Sequence, residues 1–151
     1  MNKFRILIDG ANVAFFQRDE SKNAKVENLE ILLNFLENLK NEFSIEYQIF
    51  NDASLIHRIN DKGRLENLYE TGKIIQCPSR LKADDLIIEY ASRHPEQTII
   101  ISNDCFKEYE IRSLLLLKFA IIFEEFITIP KIRDYLELTV KKTVGKNAGR
   151  I

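Results

Sequence analysis

Acidic residues stand where apolar runs end or helices begin. Ile6-Leu7-Ile8 leads straight into Asp9-Gly10-Ala11-Asn12, and Ile99-Ile100-Ile101 leads into Ser102-Asn103-Asp104. Asp84-Asp85 opens a helical pattern after the loop Cys77-Pro78-Ser79-Arg80-Leu81-Lys82-Ala83. In open α/β sheets the ligand crevice lies beyond the carboxyl ends of the strands, where the strand order reverses. With the first and fourth strands adjacent, Asp9 and Asp104 face each other there. A helix that follows a parallel third strand begins on the same rim, which adds Asp84 and Asp85. Carboxylates this close repel one another and raise each other's pKa unless a cation neutralises them. Hard oxygen donors select Mg²⁺ or Mn²⁺, and such an ion activates water and stabilises charge on a phosphoryl oxygen. Phosphodiester hydrolysis is therefore the first reaction class to test.

Each acid also has a plainer role. Asp9-Gly10 suits a turn, Asp84 an N-cap, Asp85 a first-turn dipole partner, and Asn103-Asp104 the cap of a following helix. Capping explains each acid singly and gives no reason for all of them to converge. Glu124-Glu125, Asp52 and Asp61 read as solvated turn or edge positions.

The elements that must position these acids alternate in period. Near-continuous apolar blocks at Phe4–Ile8, Ile45–Phe50, Lys73–Gln76, Thr98–Ile101 and Ala120–Ile129 suit strands covered on both faces. Between them, Val26, Leu29, Leu32, Leu33, Leu36, Leu39 and Phe43 recur at helical spacing, and Leu65, Leu68 and Tyr69 repeat the pattern up to Gly72. A further helix runs over Asp84–Arg93 and closes near Pro95. The order predicts a three-layer α/β/α domain around a doubly wound, mainly parallel sheet of about five strands. The domain is expected over residues 1–140, with residues 141–151 as a basic, flexible tail.

The chain has 151 residues, 45% of them apolar, with five Gly and three Pro, the composition of one globular domain. Its 22 basic and 23 acidic residues leave a net charge of -1, so any nucleic-acid reading rests on local charge. Two Cys and two His make a structural zinc site close to excluded. The absence of a signal-like N-terminus and of a membrane-length apolar run predicts a soluble, cytoplasmic protein.

Taken together, Ile8-Asp9-Gly10-Ala11-Asn12-Val13-Ala14, Cys77-Pro78-Ser79-Arg80, Asp84-Asp85-Leu86-Ile87 and Ile101-Ser102-Asn103-Asp104 resemble the NYN branch of the PIN-like nucleases, in particular the Regnase-type ribonuclease domain. The likeness runs from about Phe4 to Pro130, and four ordered motifs are more specific than any one. The resemblance implies an endoribonuclease that acts on single-stranded or stem-loop RNA with Mg²⁺ or Mn²⁺. Carried over by position, Asp9, Asp84, Asp85 and Asp104 are the metal-holding catalytic acids, and Asn12 is the amide beside the metal. Ser79, Arg80, Lys82, Ser102 and Asn103 fall on the RNA-binding and pocket-shaping segments.

The chain also departs from that pattern. The family's basic insertion is reduced to Leu81-Lys82-Ala83, and the arginine that often follows the two aspartates is Leu86. The family's CCCH zinc finger has no counterpart among the motifs. Backbone contacts are then expected from Arg18, Arg80, Lys82 and from Lys141, Lys142, Lys146 and Arg150, with Phe15 and Phe16 reading first as packing. The expected partners are RNA and no membrane. An isologous dimer is the default for a small domain, and a protein partner is expected to help choose the RNA.

Two other classes stay open. One is a catalytically weak RNA-binding or toxin–antitoxin-type interaction module of the same fold, although clustered acids serve no evident purpose in it. The other is a phosphotransfer receiver, which needs an Asp after its third strand and a Lys after its fifth. The third run here ends in Cys77-Pro78 and the fifth in Thr128-Ile129-Pro130.

Overall fold

In the computed structural model, which describes residues 3–137, five strands form one parallel sheet. They are β1 (Phe4–Asp9), β2 (Ile45–Asn51), β3 (Ile74–Gln76), β4 (Thr98–Ile101) and β5 (Leu115–Leu117), in the order β3-β2-β1-β4-β5. The order reverses between β1 and β4, which pair with Ile8 opposite Ile101. That reversal is what brings the segment after Ile8 beside the segment after Ile101.

Alternation along the strands sorts two cores. Ile6, Ile8, Ile49, Ile99 and Ile101 belong to a buried cluster with Leu29, Leu32, Leu36 and Leu39 of α2 (Val26–Glu42). A fully buried side chain of this kind stabilises by roughly 1.5–3 kcal/mol. Leu7 and Ile100, one residue out of phase, belong to a second cluster with Ile87, Ile88 and Ala91. Those three lie on α4 (Ala83–Arg93). The three-layer architecture thus follows from apolar residues at both phases of each strand, as expected for strands covered on two faces. The short α1 (Gly10–Ala14) follows β1 directly, and α3 (Lys62–Glu70) ends before Gly72, whose φ of 76° makes it the natural helix stop.

The expected fifth strand over Ala120–Ile129 is replaced by two features. The sheet's edge strand is Leu115–Leu117, and residues 120–128 form a separate antiparallel hairpin of β6 (Ala120–Ile122) and β7 (Phe126–Thr128). Phe123 and Glu124 turn it with φ of 52° and 56°, and the Glu125 N–H donates to the Ile122 carbonyl at 3.0 Å. One long strand would have carried Glu124 and Glu125 at mid-strand. The hairpin puts them at a solvated turn, while Ile121, Ile127 and Ile129 join the α2 core. Residues 132–137 are helical, with Ile132 and Leu136 buried against the same core. No helix follows Asp104; residues 102–114 run through turns. The tail and its four basic residues lie outside the described residues. Among the described residues, no helix is long and apolar enough to cross a membrane.

Candidate active site

Asp9 ends β1 and caps α1, its Oδ1 accepting the Asn12 N–H at 3.3 Å. It is 7% exposed. The residue that follows has to be Gly: a Cβ on Gly10 would lie 1.9 Å from Asn51 Oδ1 and 2.7 Å from Ile49 Cγ2. The Asp-Gly pair is thus a close approach of α1 to β2, and the turn reading gives way to a helix start.

Asp84 and Asp85 occupy the first turn of α4, where the dipole favours negative charge. Neither is the cap. The N-cap position is Lys82, and the Ala83 N–H is instead satisfied by Asp52 Oδ1, at 2.8 Å from the end of β2. With capping assigned to Asp52, the Asp84 and Asp85 carboxylates are left for the crevice. Asp52 is therefore a supporting residue of the site, where a solvated turn is expected from sequence. Its position just beyond an apolar strand, like that of Asp9, is the signal that could have found it.

The Asp9 and Asp84 carboxyls lie close enough to act on each other's titration. Burial, then the charges of Asp84 and Asp52, push Asp9 from 3.8 up to about 7, against the lowering effect of the Asn12 N–H. Asp84 is also raised, first by burial and next by Asp104, with Asp52 and Asp85 adding to it. Both carboxyls of the pair are thus held above the ordinary carboxylate range, burial being the first cause in each. Burial pushes up the Cys77 thiol as well, helped by Asp52 and Asp9.

Asp104 is exposed on the loop after β4. Ser102 Oγ accepts the Asp104 N–H at 3.1 Å, and Asp104 Oδ1 accepts the Phe106 N–H at 2.8 Å. Asn12 Oδ1 accepts the Asn103 N–H at 2.8 Å, which ties α1 to this loop. The Asn103 amide pairs with both the N–H and the carbonyl of Phe119, each at 3.0 Å. Ser102 is fully buried. Ser102, the Asn103 amide and Asn12 thus tie the loop that carries Asp104 to β4, Phe119 and α1.

Phe106, buried with φ of 50°, anchors the next bend in the α4 core. Such a conformation costs a bulky residue about 1–3 kcal/mol and recurs at functional sites. It turns the chain so that the Tyr109 hydroxyl donates to Asp85 Oδ1. That bond, before burial, holds the Tyr109 proton and raises its pKa. Nothing in the sequence pattern marks Tyr109.

The donors fit a hard divalent cation: all are carboxylate oxygens, and two of them are raised by burial and mutual repulsion for want of compensating charge. As the side chains stand, among the described residues no three His, Cys, Asp or Glu groups gather closely enough to hold an ion. Asp9 and Asp84 are closed on each other, Asp85 on Tyr109 and Asp104 on its own loop.

A family model, described as the Zc3h12a-like ribonuclease NYN domain, matches residues 2–124. The chain belongs to that family. No curated protein sequence matches it. Among solved structures, it is similar to nuclear proteinaceous RNase P 2 (PRORP2) from A. thaliana, with a TM-score of 0.62 and 12% identity over 84% of this chain. A second structure of PRORP2 from Arabidopsis thaliana gives a TM-score of 0.62 and 12% identity over 85% of the chain. At that identity the likeness shows the fold. The chain spans 29% and 30% of those two proteins. In this NYN domain Ser79, Arg80 and Lys82 are exposed on the loop that leads to the two α4 acids, and neither cation forms an ion pair among the described residues. Glu124-Glu125 fall at a turn, where the sequence pattern puts them, whereas Asp61 caps α3, its Oδ1 accepting the Arg64 N–H at 3.1 Å.

Proposed function

We propose that this NYN domain is a metal-dependent endoribonuclease that hydrolyses phosphodiester bonds of single-stranded or stem-loop RNA. What supports this reading above all is the approach of Asp84 to Asp9 at the β1/β4 reversal, with both carboxyls raised by burial and by the charges of Asp52, Asp85 and Asp104 about them. A Mg²⁺ or Mn²⁺ ion held by Asp9, Asp84, Asp85 and Asp104 would supply an activated water and offset charge on the attacked phosphoryl group. Asp52 fixes the start of α4 and so the approach of Asp84 to Asp9. Asn12, Ser102 and Asn103 fix the loop that carries Asp104, and Tyr109 orients Asp85. Arg80 and Lys82, on the approach to the acids, attract the phosphate backbone. A protein partner or a second copy, together with the basic stretch over residues 141–151, would narrow the choice of RNA.

The test is cleavage of a mixed panel of single-stranded and stem-loop RNAs in Mg²⁺ and Mn²⁺, with Asp9→Asn and Asp104→Asn alongside. Cleavage that both substitutions and EDTA abolish is the expected result. Cutting in EDTA, or unchanged rates in both variants, refutes the proposal. RNA binding without turnover in either metal points instead to a non-catalytic module.

A further inference from the structure

Most arginines of this protein are matched with acids: Arg5 with Glu46, Arg64 with Glu27 and Glu30, Arg93 with Glu89, Arg112 with Glu110 and Arg133 with Glu42. Arg18 and Arg58 depart from this pattern. They come from segments 40 residues apart in sequence, yet both guanidinium carbons lie against the Phe15 ring, 4.7 Å and 4.5 Å from its centroid. Both side chains are exposed, and neither pairs with a carboxylate among the described residues.

Two cations against one ring repel each other, and a cation–π contact at an exposed site is a weak return for that. The arrangement is nevertheless built in by the backbone. Ala24 N–H donates to the Arg58 carbonyl and Asn60 N–H to the Ala24 carbonyl, each at 2.9 Å, while Ala24 and Ile59 form an isolated bridge. The loop after α1 and the loop after the 3₁₀ turn Ala53–His57 are thereby tied together. The Asp19 carboxylate, the nearest acid in sequence to Arg18, accepts the Asn23 N–H at 2.8 Å within its own turn.

Both segments begin at acids of the candidate site. The first runs from Asp9 through α1 to Phe15, its C-cap, and the second runs from Asp52 into the 3₁₀ turn. At 1.5 Å rise per residue, α1 spans about 9 Å from Asp9 to Phe15. Both segments also bond to the first turn of α2, through Asn28 and Asn60, so the cation pair stands at the carboxyl edge of the sheet, one short helix from Asp9 and one 3₁₀ turn from Asp52. By contrast, Phe16 packs its ring on Phe119, 5.5 Å centroid to centroid, in the packing role expected of it.

We propose that Arg18 and Arg58, braced on Phe15, form a subsite for the phosphate backbone of a single-stranded nucleic acid, gripping phosphates next to the one at the acids. The polymer is RNA if the proposed function holds, and on that point alone the inference rests on it. Guanidinium forks match phosphate oxygens in pairs. Placement beside an acidic crevice counters the repulsion that the crevice itself exerts on a polyanion.

The test is fluorescence anisotropy of the whole chain with a short labelled oligouridylate and its DNA counterpart, in EDTA so that nothing is cut, over a salt series. Arg18→Ala/Arg58→Ala is expected to weaken binding roughly tenfold at low salt and to reduce the slope of log K against log salt by about 1.4, for two single-strand phosphate contacts. Arg18→Lys/Arg58→Lys, which keeps both charges, is expected to retain the slope. Circular dichroism and thermal melting confirm that the variants fold. Wild-type affinity and slope in the alanine variant overturn the subsite, even if the enzyme still cuts. Loss of binding in that variant supports it, even if no RNA is ever cut, in which case only the nuclease reading fails. Absence of wild-type binding at low salt overturns it as well.

Discussion

Replacing Asp9 with Asn should make the metal-free protein more stable while removing its activity. The side chain keeps its shape, and Asn is as good an N-cap as Asp, so the acceptor for the Asn12 N–H survives. What disappears is a buried charge. A carboxyl raised from 3.8 to about 7 costs the folded state about 4 kcal/mol once fully ionised. The sign follows from the folded state holding the proton more tightly than the unfolded chain. The cost is absent below about pH 4, grows between about pH 4 and 7, and is complete above. For a domain of this size 1 kcal/mol moves Tm by roughly 3 °C, so the ceiling is about 12 °C. Thermal unfolding in EDTA across a pH series is the assay. Asp9→Asn should melt several degrees above wild type near pH 8 and converge with it as pH falls toward 4. Saturating Mg²⁺ should close much of the gap by stabilising wild type, by about 2.7 kcal/mol at a hundred times Kd. A variant that melts at or below wild type near pH 8, or a gap that does not change between about pH 5 and 8, would refute the buried-charge argument.

Three further outcomes follow from local geometry. Tyr109→Phe removes the donor to Asp85 and should lower kcat on RNA roughly three- to tenfold with KM and Tm nearly unchanged; unaltered kcat would leave the tyrosine without a role. Gly10→Ala drives a methyl to 1.9 Å from Asn51 Oδ1 and should cost about 3 kcal/mol of stability, read from the urea midpoint. Phe123→Asn/Glu124→Gly suits the two positive φ values of the hairpin turn and should raise stability by about 1 kcal/mol; a lower Tm would show that exposed Phe123 supports the fold.

Much of this protein is legible in its sequence. Strand-end acids, apolar blocks at strand spacing and the leucine pattern of α2 specify the fold class, and four short motifs carry the family resemblance. Those are local properties: a strand covered on both faces must be apolar throughout, and a catalytic acid must stand where a strand stops. The fifth strand falls elsewhere than its apolar run suggests, because such a run records burial and says nothing of reversal, which two residues at positive φ decide. The cap of α4 is hidden because an N-cap is usually sought next to its helix, whereas Asp52 arrives from a neighbouring strand. That Ser102 and Asn103 also hold the loop of Asp104 is hidden because their partner Phe119 lies on another segment. The sequence by itself determined which residue types stand at the rim and which faces are apolar. Only the tertiary structure decided that β1 lies beside β4, that Asp84 comes up to Asp9, that Tyr109 reaches Asp85, and that two distant arginines meet on one ring. Each of these is a distance between segments far apart in the chain, and such distances follow from packing and strand order, which no local pattern encodes.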